Sequence, residues 1–283
     1  MKTKTSLLYG AVVCMALGST AALAHDSHNE HAKVKPEIPT SLQYNFEYRM
    51  AKEKARDAFR HPKQTLKFFG VKPTDTVVEI WPGGGWYTQI LAPALEGNGQ
   101  YVAAHWPKDS SVGFFTKYRA KFDVKFTDHP ERYGDISVTS FEPPKNTTLA
   151  PSESADVVLT FRNVHNWMSK NYEQTVFDSA FKALKPGGVL GVVEHRAKPG
   201  TKRLAMIESG YVTEDYVKQL AQNAGFEFAG ASEINANPKD IKNYPAGVWT
   251  LPPTLRLKEQ NKAKYLNIGE SDRMTLKFVK PSK

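Results

Sequence analysis

From Thr76 to Val279 the chain alternates short β-branched runs with stretches of helical period, and this alternation restricts its fold more than any other feature. Thr76-Val77-Val78-Glu79-Ile80 reads as a strand that passes through Trp81-Pro82-Gly83-Gly84-Gly85 into a helical stretch, Trp86 to Leu95. Gly97-Asn98-Gly99 turns the chain into a second strand, Tyr101 to His105. A helix near Phe114 to Phe122, a strand near Ile136 to Phe141, a buried-type strand from Asp156 to Phe161 and a helix from Tyr172 to Leu184 continue the pattern. Lys185-Pro186-Gly187-Gly188 reads as a turn before the strand Val189 to Glu194. Thr213 is placed to cap a helix ending at Ala224, and Phe226 to Ile234 and Met274 to Val279 read as the last strands. Strands separated by helices pair in parallel through right-handed crossovers. The expected fold is therefore α/β, a Rossmann-like seven-stranded, mostly parallel sheet with helices on both faces.

Residues 42–283 are expected to form one domain, with N-terminal helices over 42–70 that are split at Pro62 and closed by Gly70, and a Pro-rich insertion over 235–270. The segment before it has another logic. Lys2 and Lys4 precede an apolar run from Leu7 to Leu17, and Ala22-Leu23-Ala24 offers small residues for cleavage. The run is shorter than the roughly 20 apolar residues that span a bilayer, so residues 1–24 are expected to be a cleaved signal peptide. A periplasmic protein without stable membrane insertion follows. Residues 25–41 would then form a flexible tail carrying His25, His28 and His31, which suits either plain solubility or binding of copper, nickel or zinc. Cys14 is the only cysteine, so a mature chain has no disulfide, thiolate metal site or cysteine nucleophile. The formal charge is +9, but its lysines are scattered rather than gathered in a stripe with interleaved aromatics, and no nucleic-acid partner is expected.

In a doubly wound sheet, ligands bind outside the carboxyl ends of the strands. Polar and aromatic residues concentrate there: Glu79 with the glycine run, His105-Trp106, Glu142, Arg162 to Trp167, and Glu194-His195-Arg196. The three glycines let backbone approach a ligand closely at the start of a helix. Trp86 and Tyr87 follow Gly85 directly, which departs from G-x-G-x-x-G, and no Lys-Ser/Thr pair makes a P-loop.

Val77 to Gly85 resembles the first motif of class I S-adenosylmethionine-dependent methyltransferases, and Lys185 to Gly188 resembles their turn before the fifth strand. Ala224-Gly225-Phe226 resembles the turn into their sixth strand, and Ser271 to Pro281 their closing strand. The strings Glu79 to Thr88 and Phe161 to Trp167 are similar to an exported branch of predicted methyltransferases. The resemblance implies S-adenosylmethionine as cofactor and a small-molecule acceptor. It places Glu79, Gly83 and Gly85 along the methionine part, His105 at the ribose, Glu142 near the adenine, and Arg162 to His165 beside the sulfonium and the acceptor, and it counts Trp81 and Gly84 among the cofactor-binding residues. Two positions depart from the family: Trp81 stands where a glycine opens the motif, and His105 where an Asp or Glu grips the ribose. Asp109 is a possible substitute for that carboxylate.

His165 is the first candidate base, with Glu194 and His195 as alternates at the next strand end and Asn163 and Arg162 as orienting groups. Two other readings stand beside a methyltransferase. One is a non-catalytic periplasmic binding protein on the same scaffold. The other is a metal enzyme, if His105, His165, His195 and Glu194 converge on one ion, although no metal ligand is assigned.

Overall fold

The computed structural model describes residues 42–43 and 49–282, which lie in one compact unit, Ile38–Lys283. The expected signal peptide, the histidine tail and Cys14 lie outside the described residues. Seven strands form one sheet: β1 Thr76–Ile80, β2 Gln100–His105, β3 Ile136–Ser140, β4 Ala155–Phe161, β5 Leu184–His195, β6 Glu227–Ser232 and β7 Arg273–Val279. Their spatial order is β3-β2-β1-β4-β5-β7-β6, all neighbours parallel except β7, which runs antiparallel to both β5 and β6. The expected fold class is the observed one.

Period-2 alternation explains how both faces become core. Val77, Tyr101, Ala103, Val157 and Leu159 join one apolar cluster, with Leu66 and Phe69 of the helix Pro62–Phe69 and Ile90 and Leu91 of the helix Thr88–Leu95. Val78, Val102, Ala104 and Val158 point the other way, onto Trp167, Phe177 of the helix Glu173–Ala183, and Val217 and Leu220 of the helix Glu214–Asn223. Hydrophobic burial on both faces is what a central parallel strand requires.

The element boundaries have identifiable local causes. Pro62 starts a helix, occupying its first turn where no N–H is needed, and Gly70 closes it at φ +79°. Lys185 to Gly188 forms a turn at the head of β5: Gly187 has φ +79°, continuous pairing with β4 and β7 starts at Val189, and Gly187 N–H donates to the Lys280 carbonyl (2.8 Å) while Lys280 N–H donates to the Gly188 carbonyl (2.9 Å). Thr213 caps its helix as expected, accepting the Tyr216 amide at 3.3 Å. The helices Pro130–Tyr133, Val164–Met168, Arg203–Ser209 and, within the Pro-rich stretch, Lys262–Ile268 were not anticipated, nor were the helical turns Asp123–Thr127 and Gly247–Thr250.

Candidate functional site

β1 leads into β2 on one side of the sheet while β4 leads into β5 on the other, so the strand order reverses between β1 and β4. A crevice opens at that reversal, beyond the carboxyl ends. Here it is a cavity of about 590 Å³, with Pro82, Gly83 and Gly84 on one side, Arg162, Asn163 and His165 on another, and Trp249 among the residues closing it.

The chain is strained on both sides of the opening. Trp81, the first residue after β1, has φ +47°, and Arg162, the first after β4, has φ +63°. Such conformations in bulky residues persist only where the surroundings enforce them. Trp81 N–H donates to the Ala104 carbonyl (2.9 Å) and Arg162 N–H to the Val193 carbonyl (2.7 Å). The Asn163 amide donates to the carbonyls of Ile80 (3.0 Å) and Trp81 (3.3 Å) and to Thr160 Oγ1 (3.2 Å), pinning the end of β1 to the end of β4. Asn163 is a positioning residue: its NH₂ group is spent on the strand ends.

The glycine loop has an open and a closed side. A Cβ at Gly83 or Gly84 would meet nothing within 4 Å, so both border free space. A Cβ at Gly85 would lie 2.1 Å from the Phe126 ring, and that glycine has φ +70°. Glu79, 3% exposed, lies behind the loop and accepts from Tyr101 Oη (2.6 Å) and Thr88 Oγ1 (3.2 Å). Burial raises its pKa to about 7 against the opposing pull of those donors.

His105 is sealed. Its Nδ1 accepts the Trp106 amide (2.8 Å), which leaves the proton on Nε2 to donate to the Gly83 carbonyl (3.3 Å). Burial lowers its pKa to about 4, so the ring is neutral under ordinary conditions. The Trp81 indole fills the space on the same side, donating to the Phe141 carbonyl (3.0 Å) and packing on Trp106, Phe115 and Trp167. Glu79, Gly85, His105 and Glu142 therefore do not line the cavity, whereas Trp81, Gly83, Gly84, Arg162, Asn163 and His165 do.

A fully buried carboxylate organises the opposite wall. Glu194 accepts the Val164 amide at Oε2 (2.6 Å), and the His195 amide (2.7 Å) and His165 Nδ1 (3.1 Å) at Oε1. His165 Nδ1–H is thereby fixed, and Nε2 is its remaining basic atom. His195 Nδ1 meets Ser271 Oγ at 2.5 Å. Burial first, then the nearby His165 and arginines, hold the His195 pKa well below the usual value. Among the described residues, His165, Glu194 and His195 offer ligand atoms all within 4.8 Å of one another, and this is the one histidine-carboxylate group able to take a metal. His105 is not part of it.

Three arginines at the cavity were not anticipated as site residues: Arg56, Arg60 and Arg273, joined on Glu270. The available signal was a lone arginine opening the apolar strand Met274 to Val279.

No family model matches this sequence, and no curated protein does. Solved structures match it in fold. A SAM-dependent methyltransferase from Aquifex aeolicus superposes over 81% of this chain and 97% of its own, with a TM-score of 0.52 and 15% identity. A proposed sarcosine dimethylglycine methyltransferase from Galdieria sulphuraria covers 86% of this chain and 94% of its own, at TM-score 0.56 and 12% identity. The fold is that of the class I methyltransferases. The cyclase SpnF shares it too, over 86% of this chain and 87% of its own, with a TM-score of 0.53 and 13% identity. One class I scaffold thus carries different reactions, and the chemistry must be argued from the site.

The glycine loop leaves room for a ligand such as S-adenosylmethionine: free space borders Gly83 and Gly84, where backbone can approach closely. No carboxylate at the end of β2 faces the cavity. Any contribution of Glu79, Gly85 and His105 passes through the loop, whose shape they set from behind.

Proposed function

We propose that this protein is an S-adenosylmethionine-dependent methyltransferase acting on a small-molecule acceptor. The observation that carries the reading is the cavity at the β1–β4 reversal, with an open glycine loop on one wall and a carboxylate-backed imidazole on another. The cofactor would supply a methyl group on a cationic sulfur, whose transfer demands alignment above all. Pro82, Gly83 and Gly84 hold its methionine end. His165 takes a proton from the acceptor at Nε2, while Nδ1–H stays on Glu194, which keeps the tautomer and steadies the ring as it charges. Asn163 keeps the two strand ends in register, and Trp249, its ring 5.9 Å from that of His165, shelters the base from water.

Calorimetric titration of the purified protein with S-adenosylmethionine and S-adenosylhomocysteine tests the reading. Gly84→Val is the informative variant, because Gly84 lacks a positive φ and its side chain would enter free space. Micromolar binding that Gly84→Val weakens at least tenfold, at unchanged melting temperature, is expected. A well-folded protein that binds neither compound has lost this reading and fits a repurposed scaffold. Export to the periplasm belongs to the same proposal. Protein recovered from the periplasmic fraction should begin at His25, and a retained Met1 would count against cleavage.

A further inference from the structure

Four guanidiniums meet at one side of the cavity. Arg56 and Arg60 come from the N-terminal helical region, Arg162 from the end of β4, and Arg273 from the start of β7. Glu270 binds Arg56, Arg60 and Arg273, and among the described residues it is the one carboxylate that pairs with them. The cavity's own lining contributes a single carboxylate among the described residues, Glu53, which Lys125 engages at 2.7 Å. The cluster keeps an excess of three positive charges.

Several of its donors are unspent. Arg60 is 3% and Arg273 2% exposed, yet both Nη atoms of Arg60, Nε of Arg273 and Nη2 of Arg56 are buried without an acceptor among the described residues. Arg60 is partly compensated by stacking on Trp86, 4.5 Å from the ring centre. The Arg162 guanidinium donates to no described residue. Buried donors left unmet carry a desolvation cost, so each calls for an explanation, and an anion in the cavity would meet them together. Burial, then repulsion by Arg273 and Arg56 against the pull of Glu270, lowers the Arg162 pKa to about 10, in line with charge that the protein does not balance.

We propose that this arginine cluster is an oxyanion cradle that binds the phosphate-type, doubly charged group of the methyl acceptor. The acceptor role rests on the methyltransferase reading, whereas the cradle is a property of the arginines alone. Planar guanidiniums suit such a group because each offers paired N–H donors to adjacent oxygens. Charge argues that the acceptor supplies the anion. S-adenosylmethionine has a sulfonium and an ammonium against one carboxylate, so a basic cavity disfavours it until an anion is present. Binding of the two should therefore be mutually reinforcing, by the same factor in each direction.

Titration with inorganic phosphate tests the cradle, with sodium chloride keeping ionic strength constant. Saturable binding is expected, at least tenfold weaker in Arg162→Gln, whose replaced guanidinium donates no hydrogen bond to a described residue. If that variant does not fold, Arg56→Gln carries the same expectation. Absence of saturable phosphate binding, or equal binding by a folded variant, overturns the proposal. A second arm adds S-adenosylhomocysteine. Simultaneous binding of phosphate and S-adenosylhomocysteine supports an acceptor site, and displacement of phosphate shows the arginines holding the cofactor's own carboxylate and overturns it. Phosphate binding by a protein that binds neither sulfur compound upholds the cradle and removes the methyltransferase reading.

Discussion

A carboxyl group buried behind the glycine loop titrates as it would not in water. Burial raises Glu79 to about 7 from an ordinary 4.5, so between those values the folded protein holds a proton that the unfolded chain has released. The stability contributed by this group is therefore full below pH 4.5 and lost as the pH rises through 7, by about 3 kcal/mol in all. His105, lowered to about 4 by burial, acts in the opposite sense: its contribution is present above the ordinary histidine value and lost as the pH falls toward 4. Only a comparison of variants separates the two. Glu79→Gln should cost most near pH 5 and progressively less toward pH 8 in denaturant titrations, and a difference constant across that range would refute the protonated Glu79. In Glu194 both carboxylate oxygens already serve as acceptors. Glu194→Gln must turn an NH₂ group toward an N–H donor. A loss of about 1–3 kcal/mol is expected, read as a lower melting temperature, together with a large loss of turnover once an acceptor is in hand.

At the scale of the element, the loop after β1 divides its glycines between two tasks. Gly85 allows the loop to pack on Phe126, in a conformation a side chain would strain. Gly85→Ala should destabilise by about 3 kcal/mol or more, from strain and overpacking together. Gly84→Ala should stay within about 0.5 kcal/mol. Equal melting temperatures for the two variants would contradict the packing described here. The strand-glycine-helix unit was legible in the sequence because its period, its turn residues and its length agree over Thr76 to Leu95. The turn Lys185 to Gly188 was legible from its Pro-Gly-Gly run, but its bonds to Lys280, almost a hundred residues on in the chain, were not. The helix Lys262–Ile268 escaped notice because it is short and flanked by irregular Pro-rich chain. His165 and Glu194 were legible as strand-end residues, but their bond was not, since adjacency of β4 and β5 is a property of the sheet. The arginines left still less trace, being isolated residues gathered by topology.

At the scale of the molecule, Glu270 joins the two ends of the described chain. It binds Arg56 and Arg60 from the region before β1, and Arg273 in the last strand. Burial alone would raise its pKa, but Arg273, Arg60 and Arg56 together hold it far below the ordinary range. Its contribution is thus complete above the unfolded value of 4.5 and lost as the pH falls below it. Glu270→Gln removes that contribution and leaves buried arginines facing each other, which should cost about 3–5 kcal/mol at neutral pH. The same substitution raises the excess charge of the cradle. A phosphate ion bound there by the native state stabilises it by mass action, and more strongly the higher its affinity. Phosphate at fixed ionic strength should therefore raise the melting temperature of Glu270→Gln by more than it raises that of the unaltered protein. Equal increments would mean that Glu270 and the anion do not share these arginines, and the cluster would then serve only to clamp the N-terminal helices to β7.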